Sequence, residues 1–168
     1  MAISTVVKTK RDGTLTIKDG TSPTPLSLTV AYEAGDFNLT IPGPAITSAL
    51  DRGSFGGTPR LRYGDDQPMT ATFSAYLRDL GDASYATLEE VIMQSGDVGT
   101  NWVSTLGANA EVLTFSVTFD IEGSDHGDAG DHSLTLPHCV ITGSLAEGDP
   151  DTVSISITSY SNFPTDIA

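Results

Sequence analysis

Apolar and polar residues alternate strictly over most of the chain, which is the pattern of strands with one buried face. The clearest run is Leu113-Thr114-Phe115-Ser116-Val117-Thr118-Phe119-Asp120-Ile121. Shorter or similar runs are Leu15–Ile17, Leu26–Val30, Phe37–Ile41, Met69–Leu77, Leu134–Leu136 continuing to Val140–Ile141, and Val153–Thr158. Seven strands are therefore predicted. Asp12-Gly13, Asp19-Gly20, Ala34-Gly35-Asp36, Gly64-Asp65-Asp66 and Gly148-Asp149-Pro150-Asp151 supply turn residues between them, and the short spacing predicts antiparallel pairing. One segment has helical spacing: Tyr85, Leu88, Val91 and Ile92, with Asp82 or Ser84 as N-cap, Gly96 as the stop and Glu89-Glu90 on the exposed face. With no βαβ alternation, the expected fold is mainly β, an antiparallel β-sandwich or barrel of about seven strands with one short flanking helix.

Two features qualify this picture. Residues 42–66 lack periodicity and are broken by Pro42, Gly43, Pro44, Gly53, Gly56, Gly57, Pro59 and Gly64. Such a long loop is uncommon unless functional, and this one carries Arg52, Arg60 and Arg62 with Phe55 and Tyr63 between them, residue types that protein interfaces favour. A merely solvated loop is the plainer alternative. Secondly, the polar faces are hydroxylic rather than charged: Thr70, Thr72 and Ser74; Thr114, Ser116 and Thr118; Ser154, Ser156 and Thr158. An uncharged face with high β-propensity suits a sheet that continues into a neighbouring subunit, and equally a monomeric Ser/Thr-rich sandwich of the adhesin or carbohydrate-binding kind.

At 168 residues the chain fits one domain, 1–168, and no run approaches the ~20 apolar residues of a membrane span. Its start has no basic segment followed by an apolar run, so the expectation is no secretory signal and folding in a cytoplasm. The formal charge is −14, unevenly placed: residues 1–78 hold all 8 basic residues and 7 acids, leaving 15 acids and no Lys or Arg for 79–168. That half repels phosphate, which argues against nucleic-acid binding but suits a passage through which DNA slides without sticking; solubility or adaptation to high salt is the simpler explanation.

Candidate chemistry is sparse. One cysteine, Cys139, rules out an intramolecular disulfide. His138 and Cys139 are neighbours on a predicted strand and so face opposite ways, with Cys139 expected in the core, His138 at the surface, and Pro137 marking an edge or bulge. Residues 124–132 group Asp125, His126, Asp128, Asp131 and His132 without a known calcium or zinc spacing, and an acidic hairpin tip is expected in place of a metal site. Gly53-Ser54-Phe55-Gly56-Gly57 is neither a P-loop nor a nucleophile elbow. No catalytic residue, cofactor or metal is assigned.

The segment Leu134–Ile155, a strand, an acidic turn with Gly148-Asp149-Pro150 and a Ser/Thr-rich strand, resembles the closing hairpin of bacteriophage tail tube proteins. Gly13–Gly20 followed by Leu26–Val30, and Gly64–Pro68 leading into Thr70–Leu77 and Arg78-Asp79, are also similar to that family, so the resemblance spans residues 11–163. It implies a β-sandwich subunit of a long-tailed, siphovirus-like virion, made in the host cytoplasm and assembled as hexameric rings. The rings stack into a hollow tube around a tape-measure protein, between tip and terminator proteins, with DNA as passing cargo. The long hairpin loop that reaches the next ring corresponds to 42–66, making Arg52, Phe55, Arg60, Arg62 and Tyr63 the implied inter-ring contacts, with the arginines meeting the acidic half of a neighbour. Glu33, Asp36, Asp120 and Glu122 are the implied lumen-facing acids. The chain departs from the family in its acidic 122–131 loop and its lack of basic residues after Arg78. The alternative is the monomeric carbohydrate-binding sandwich, for which clustered exposed aromatics are expected and only Trp102 and a few tyrosines are on offer.

Overall fold

The computed structural model describes residues 13–31, 36–49, 60–78, 85–121 and 130–161. The strands are β1 (Gly13–Lys18), β2 (Ser27–Val30), β3 (Asn38–Thr40), β4 (Ile46–Ala49), β5 (Arg60–Tyr63), β6 (Met69–Tyr76), β7 (Phe115–Ile121), β8 (His132–Ala146) and β9 (Thr152–Ser159). The seven runs expected from alternation form one antiparallel sheet in the order β2-β1-β7-β8-β9-β6-β3, while β4 and β5 pair separately as a hairpin inside the 42–66 segment. The protein is thus mainly β and sandwich-like, and the sheet is not closed into a barrel. It curls instead: Phe37, just before the edge strand β3, stacks on Phe119 of β7 with ring centroids 4.4 Å apart, bringing the two halves of the sheet over one core.

That core is the inward half of each alternating run. Leu15 and Ile17, Phe115 and Val117, Ile141, Val153 to Ile157 at alternate positions, and Met69 to Ala75 at alternate positions are all buried. Two short helices, α1 (Leu88–Met93) and α2 (Gly96–Asn101), cover part of it, where a single helix was expected. α1 packs closely on β8 because Gly143 has no side chain; a Cβ there would lie 2.8 Å from Ile92 Cδ1. Trp102, following α2, meets Phe115 edge-on at 5.8 Å.

The helix boundaries and polarity also differ from expectation. The N-cap is Thr87, whose hydroxyl accepts from the Glu90 amide while the Glu90 carboxylate accepts from the Thr87 amide. Glu89 and Glu90, expected on an exposed face, are only 4% and 6% exposed; for Glu90 this follows from its carboxylate being turned back onto the helix start. Its end occupies the space beside Gly96, whose φ of +61° is the left-handed conformation glycine tolerates. The proposed caps Asp82 and Ser84 lie outside the described residues.

β8 changes partners midway. Its first half pairs with β7 and its second half with β9. At the junction Val117 lies opposite Leu136 but Phe115 opposite Cys139, so β8 carries one extra residue, a bulge at Pro137-His138. His138 adopts φ of +52°, and the bulge is pinned by the Ser159 hydroxyl donating to the Pro137 carbonyl at 2.6 Å and by the Tyr160 amide donating to the His138 carbonyl at 3.2 Å. Both Leu136 and Cys139 therefore point inward, which uninterrupted alternation forbids.

A second tie joins the β1–β2 hairpin to the segment after α2. The buried carboxylate of Asp19 accepts from the Thr21 hydroxyl, from the Leu26 amide at 2.7 Å and from the Val103 amide at 3.1 Å. Gly20 lies so close beneath that a Cβ would come within 2.3 Å of the Ser104 carbonyl oxygen.

Two outcomes follow for stability. Asp19→Ala leaves the partly buried Leu26 and Val103 amides without their acceptor and is expected to cost about 1–3 kcal/mol, read as a lower urea midpoint with unchanged slope. Burial pushes the Cys139 thiol from 9.0 up to about 12, partly offset by hydrogen bonds to Ser159 and the Val117 backbone. A folded-state value above the unfolded one gives stability that is complete below pH ~9 and is lost as pH rises toward 12. The stability advantage of the wild type over Cys139→Ala is accordingly expected to shrink between those pH values in urea titrations.

Candidate functional site

The outer faces of the curled sheet carry rungs of aligned uncharged polar side chains, nearly all of them hydroxyls. Across β3, β6, β9 and β8, one rung is Asn38, Thr72, Ser156 and Thr142; the next on β6, β9 and β8 is Ser74, Ser154 and Ser144. On the other half-sheet, Thr29, Thr16, Thr118 and Thr135 form a rung across β2, β1, β7 and β8, with the hydroxyls of Thr118 and Thr135 3.2 Å apart. Thr72, Thr142, Ser144, Ser154 and Ser156 are exposed and surround a shallow concavity of about 500 Å³ with Asp36 at its edge. Thr114 departs from the expected pattern: it is buried, with its hydroxyl 2.9 Å from Ser104 Oγ and 2.7 Å from Thr105 Oγ1.

Asp36 and Asp120, two of the implied lumen acids, do not converge. Asp36 belongs to the concavity beside β6, whereas Asp120 sits on the polar face of β7 and accepts from the Thr14 hydroxyl at 3.4 Å. Each precedes or follows a ring of the stacked Phe37–Phe119 pair, which places them on outer faces of different halves of the sheet. Glu33 and Glu122 lie outside the described residues, as do Arg52 and Phe55.

Arg60, Arg62 and Tyr63 all lie on β5, and the register of the hairpin sorts them. Ile46 pairs with Tyr63 and Ser48 with Leu61, while Thr47 pairs with Arg62 and Ala49 with Arg60. Since side chains alternate along a strand, one face presents Ile46, Leu61 and Tyr63 and the other presents both arginines. The apolar face is not covered by the other described residues: Ile46 is 61% exposed, Leu61 66% and Tyr63 81%. Apart from each other, neither strand packs extensively on another described strand or helix. A lone two-stranded hairpin is marginally stable in water, so this element has more to gain from a partner than any other in the fold.

The His138 region is a latch. His138 Nδ1 lies 3.0 Å from Thr105 Oγ1, which connects through Thr114 to Ser104, and Ser104 Oγ donates to the Val112 carbonyl at 2.8 Å. His138 is half-buried, where a surface position was expected, because this chain of hydroxyls holds the 104–114 segment against the bulge. Sequence reasoning missed Thr105; its only signal was a hydroxyl in a segment without periodicity. Among the described residues, no three His, Cys, Asp or Glu side chains are placed to hold a metal ion, and no helix is long and apolar enough to cross a membrane.

No protein-family model matches the chain, and no curated protein does either.

Because Leu61 and Tyr63 contact solvent on the isolated chain, Leu61→Ser and Tyr63→Ser are expected to change its unfolding free energy by less than about 0.5 kcal/mol. Urea denaturation of the dilute protein measures this; a larger loss places these side chains in the monomer core.

Proposed function

We propose that the protein is a structural subunit that assembles with copies of itself, specifically the major tail tube protein of a long-tailed bacteriophage, with no chemical step of its own. The observation that carries this reading is the β4–β5 hairpin: an amphipathic two-stranded element that leaves Ile46, Leu61 and Tyr63 in water. An element of this kind is stabilised when a partner buries its apolar face. The hydroxyl rungs add support, because two of them run out to short edge strands, β2 and β3, and they carry no charge that opposes a neighbouring sheet. On this reading copies close into rings, six per ring by resemblance to the family. Rings stack around a tape-measure protein, and the acid-rich chain forms a conduit that DNA traverses without adhering.

The carbohydrate-binding alternative draws on the hydroxyl-lined concavity. Its one aromatic lining residue, Phe73, is 2% exposed and turned to the core, so the concavity lacks the stacking surface that sugar rings favour.

Negative-stain electron microscopy with sizing chromatography tests the proposal. Rings or hollow tubes are expected at high concentration. Arg60→Glu together with Arg62→Glu is expected to abolish stacking while leaving circular dichroism and the urea midpoint unchanged. Protein that stays monomeric at every concentration, and also when mixed with a tail-tip extract, would overturn the tube assignment.

A further inference from the structure

We propose that the cavity at the seam of the sheet is a binding site for a small primary monoamine, with Glu89 as the group that holds the ammonium. This site stands apart from self-assembly and does not rest on it.

The seam exists because the sheet curls without closing. β2 is at one edge of the strand order and β6 is next to the other edge, yet Leu28 and Val30 of β2 line the same cavity as Ala75 and Tyr76 of β6. Residues 85–89, the entry to α1 and its first turn, form the third side. The cavity measures about 330 Å³, enough for a small organic molecule. Leu28, Val30, Ala75 and Leu88 give it an apolar wall.

Glu89 interrupts that wall. It is only 4% exposed, and the capping box that accounts for the burial of Glu90 makes no use of it. Among the described residues its carboxylate accepts no hydrogen bond and forms no ion pair, although Arg78 lines the same cavity. Every fully enclosed side-chain oxygen among them has a partner. The partnerless oxygens of Glu89 therefore keep contact with open space, and the space that Glu89 lines is this cavity. A carboxylate withdrawn from bulk water without a partner is unfavourable, and charge-assisted hydrogen bonds from a cation offset that penalty.

The rest of the cavity selects among cations. A metal ion needs several ligands, and no three His, Cys, Asp or Glu side chains among the described residues are placed to hold one. An alkylammonium brings three N–H donors for Glu89 and a hydrocarbon body for the apolar wall. The rings of Tyr76 and Tyr85, 43% and 56% exposed, supply aromatic surface of the kind that attracts ammonium groups. Arg78, exposed at the same cavity, repels a second positive charge, which favours a monoamine over a diamine.

Hexylammonium is the probe, followed by amide NMR of the isotope-labelled protein. It is expected to shift the resonances of Thr29, Ala31, Arg78 and Ala86 along saturable curves, and hexanol to bind at least about tenfold more weakly because it lacks the charged hydrogen bond. Glu89→Gln keeps the size of the side chain and removes its charge. That variant is expected to lose the response to hexylammonium and, relieved of an unpartnered charge, to keep a urea midpoint at or above that of the wild type. Arg78→Ala changes an exposed side chain and tests selectivity without touching the core: the wild type is expected to bind hexamethylenediamine more weakly than hexylammonium, and the variant to lose that preference. No saturable shift, shifts spread over the whole surface, equal affinity for hexanol, retained binding or a lowered urea midpoint in Glu89→Gln, or a preference unchanged in Arg78→Ala would each overturn the site. The electron microscopy of assembly is read separately, so failure of either reading leaves the other standing.

Discussion

One extra residue between Leu136 and Cys139 decides which side chains of β8 reach the core. Side chains alternate with a period of two, so a strand fifteen residues long either keeps one register or inserts a bulge. Without the bulge, Cys139 and Ile141 face outward and Val140, Thr142 and Ser144 face inward, so β8 turns hydroxyls toward the core beside the apolar residues of β9 and β6. With it, β8 serves both halves, and the sheet bends far enough for Phe37 to reach Phe119. The left-handed backbone at His138 is the cost of that bend. Ser159 and Tyr160 at the end of β9 and Thr105 after α2 offset it, from two neighbouring segments.

The same contacts organise what lies around the bend. Thr105 and Thr114 are drawn into the interior because the latch on His138 needs hydroxyls there, and Asp19 fixes the β1–β2 hairpin to the adjacent Val103. Fully enclosed polar atoms are tolerated because each is satisfied; none of the described buried side-chain nitrogen or oxygen atoms lacks a partner. The core is therefore clamped by specific polar ties and covered by α1, whose Ile92 packs over Gly143.

Alternation made the seven main strands legible, since a half-buried antiparallel sheet imposes it directly on the sequence. Short elements were not legible by the same means. Arg60-Leu61-Arg62-Tyr63 alternates, but four residues beside Pro and Gly carry little periodic signal, and Ile46–Ala49 carries less. Glu89 and Glu90 mislead because acidic residues in a first helical turn read as solvated, whereas a capping box folds one of them inward. Thr114 misleads because it continues the alternation of β7 by one residue beyond the strand. For the candidate site, composition pointed to the arginines and aromatics of 42–66, yet only register shows that Arg60 and Arg62 share one face and that Leu61, which attracted no notice in the sequence, shares the other with Tyr63.

Charge gives that two-faced hairpin its significance. Each copy carries a formal −14, so copies repel one another at distances up to the screening length, about 10 Å at 0.1 M salt. Association must then depend on places where the sign is locally reversed. Among the described residues the cationic side chains are Lys18, Arg60, Arg62 and Arg78, and β5 is the one strand that carries two of them. They are backed by an apolar surface on the opposite face of the same hairpin, and burying that surface supplies an attraction that salt does not screen. On the proposed self-assembly, long-range repulsion combined with a short-range attraction at the hairpin would restrict association to the place where another copy offers a surface that matches it.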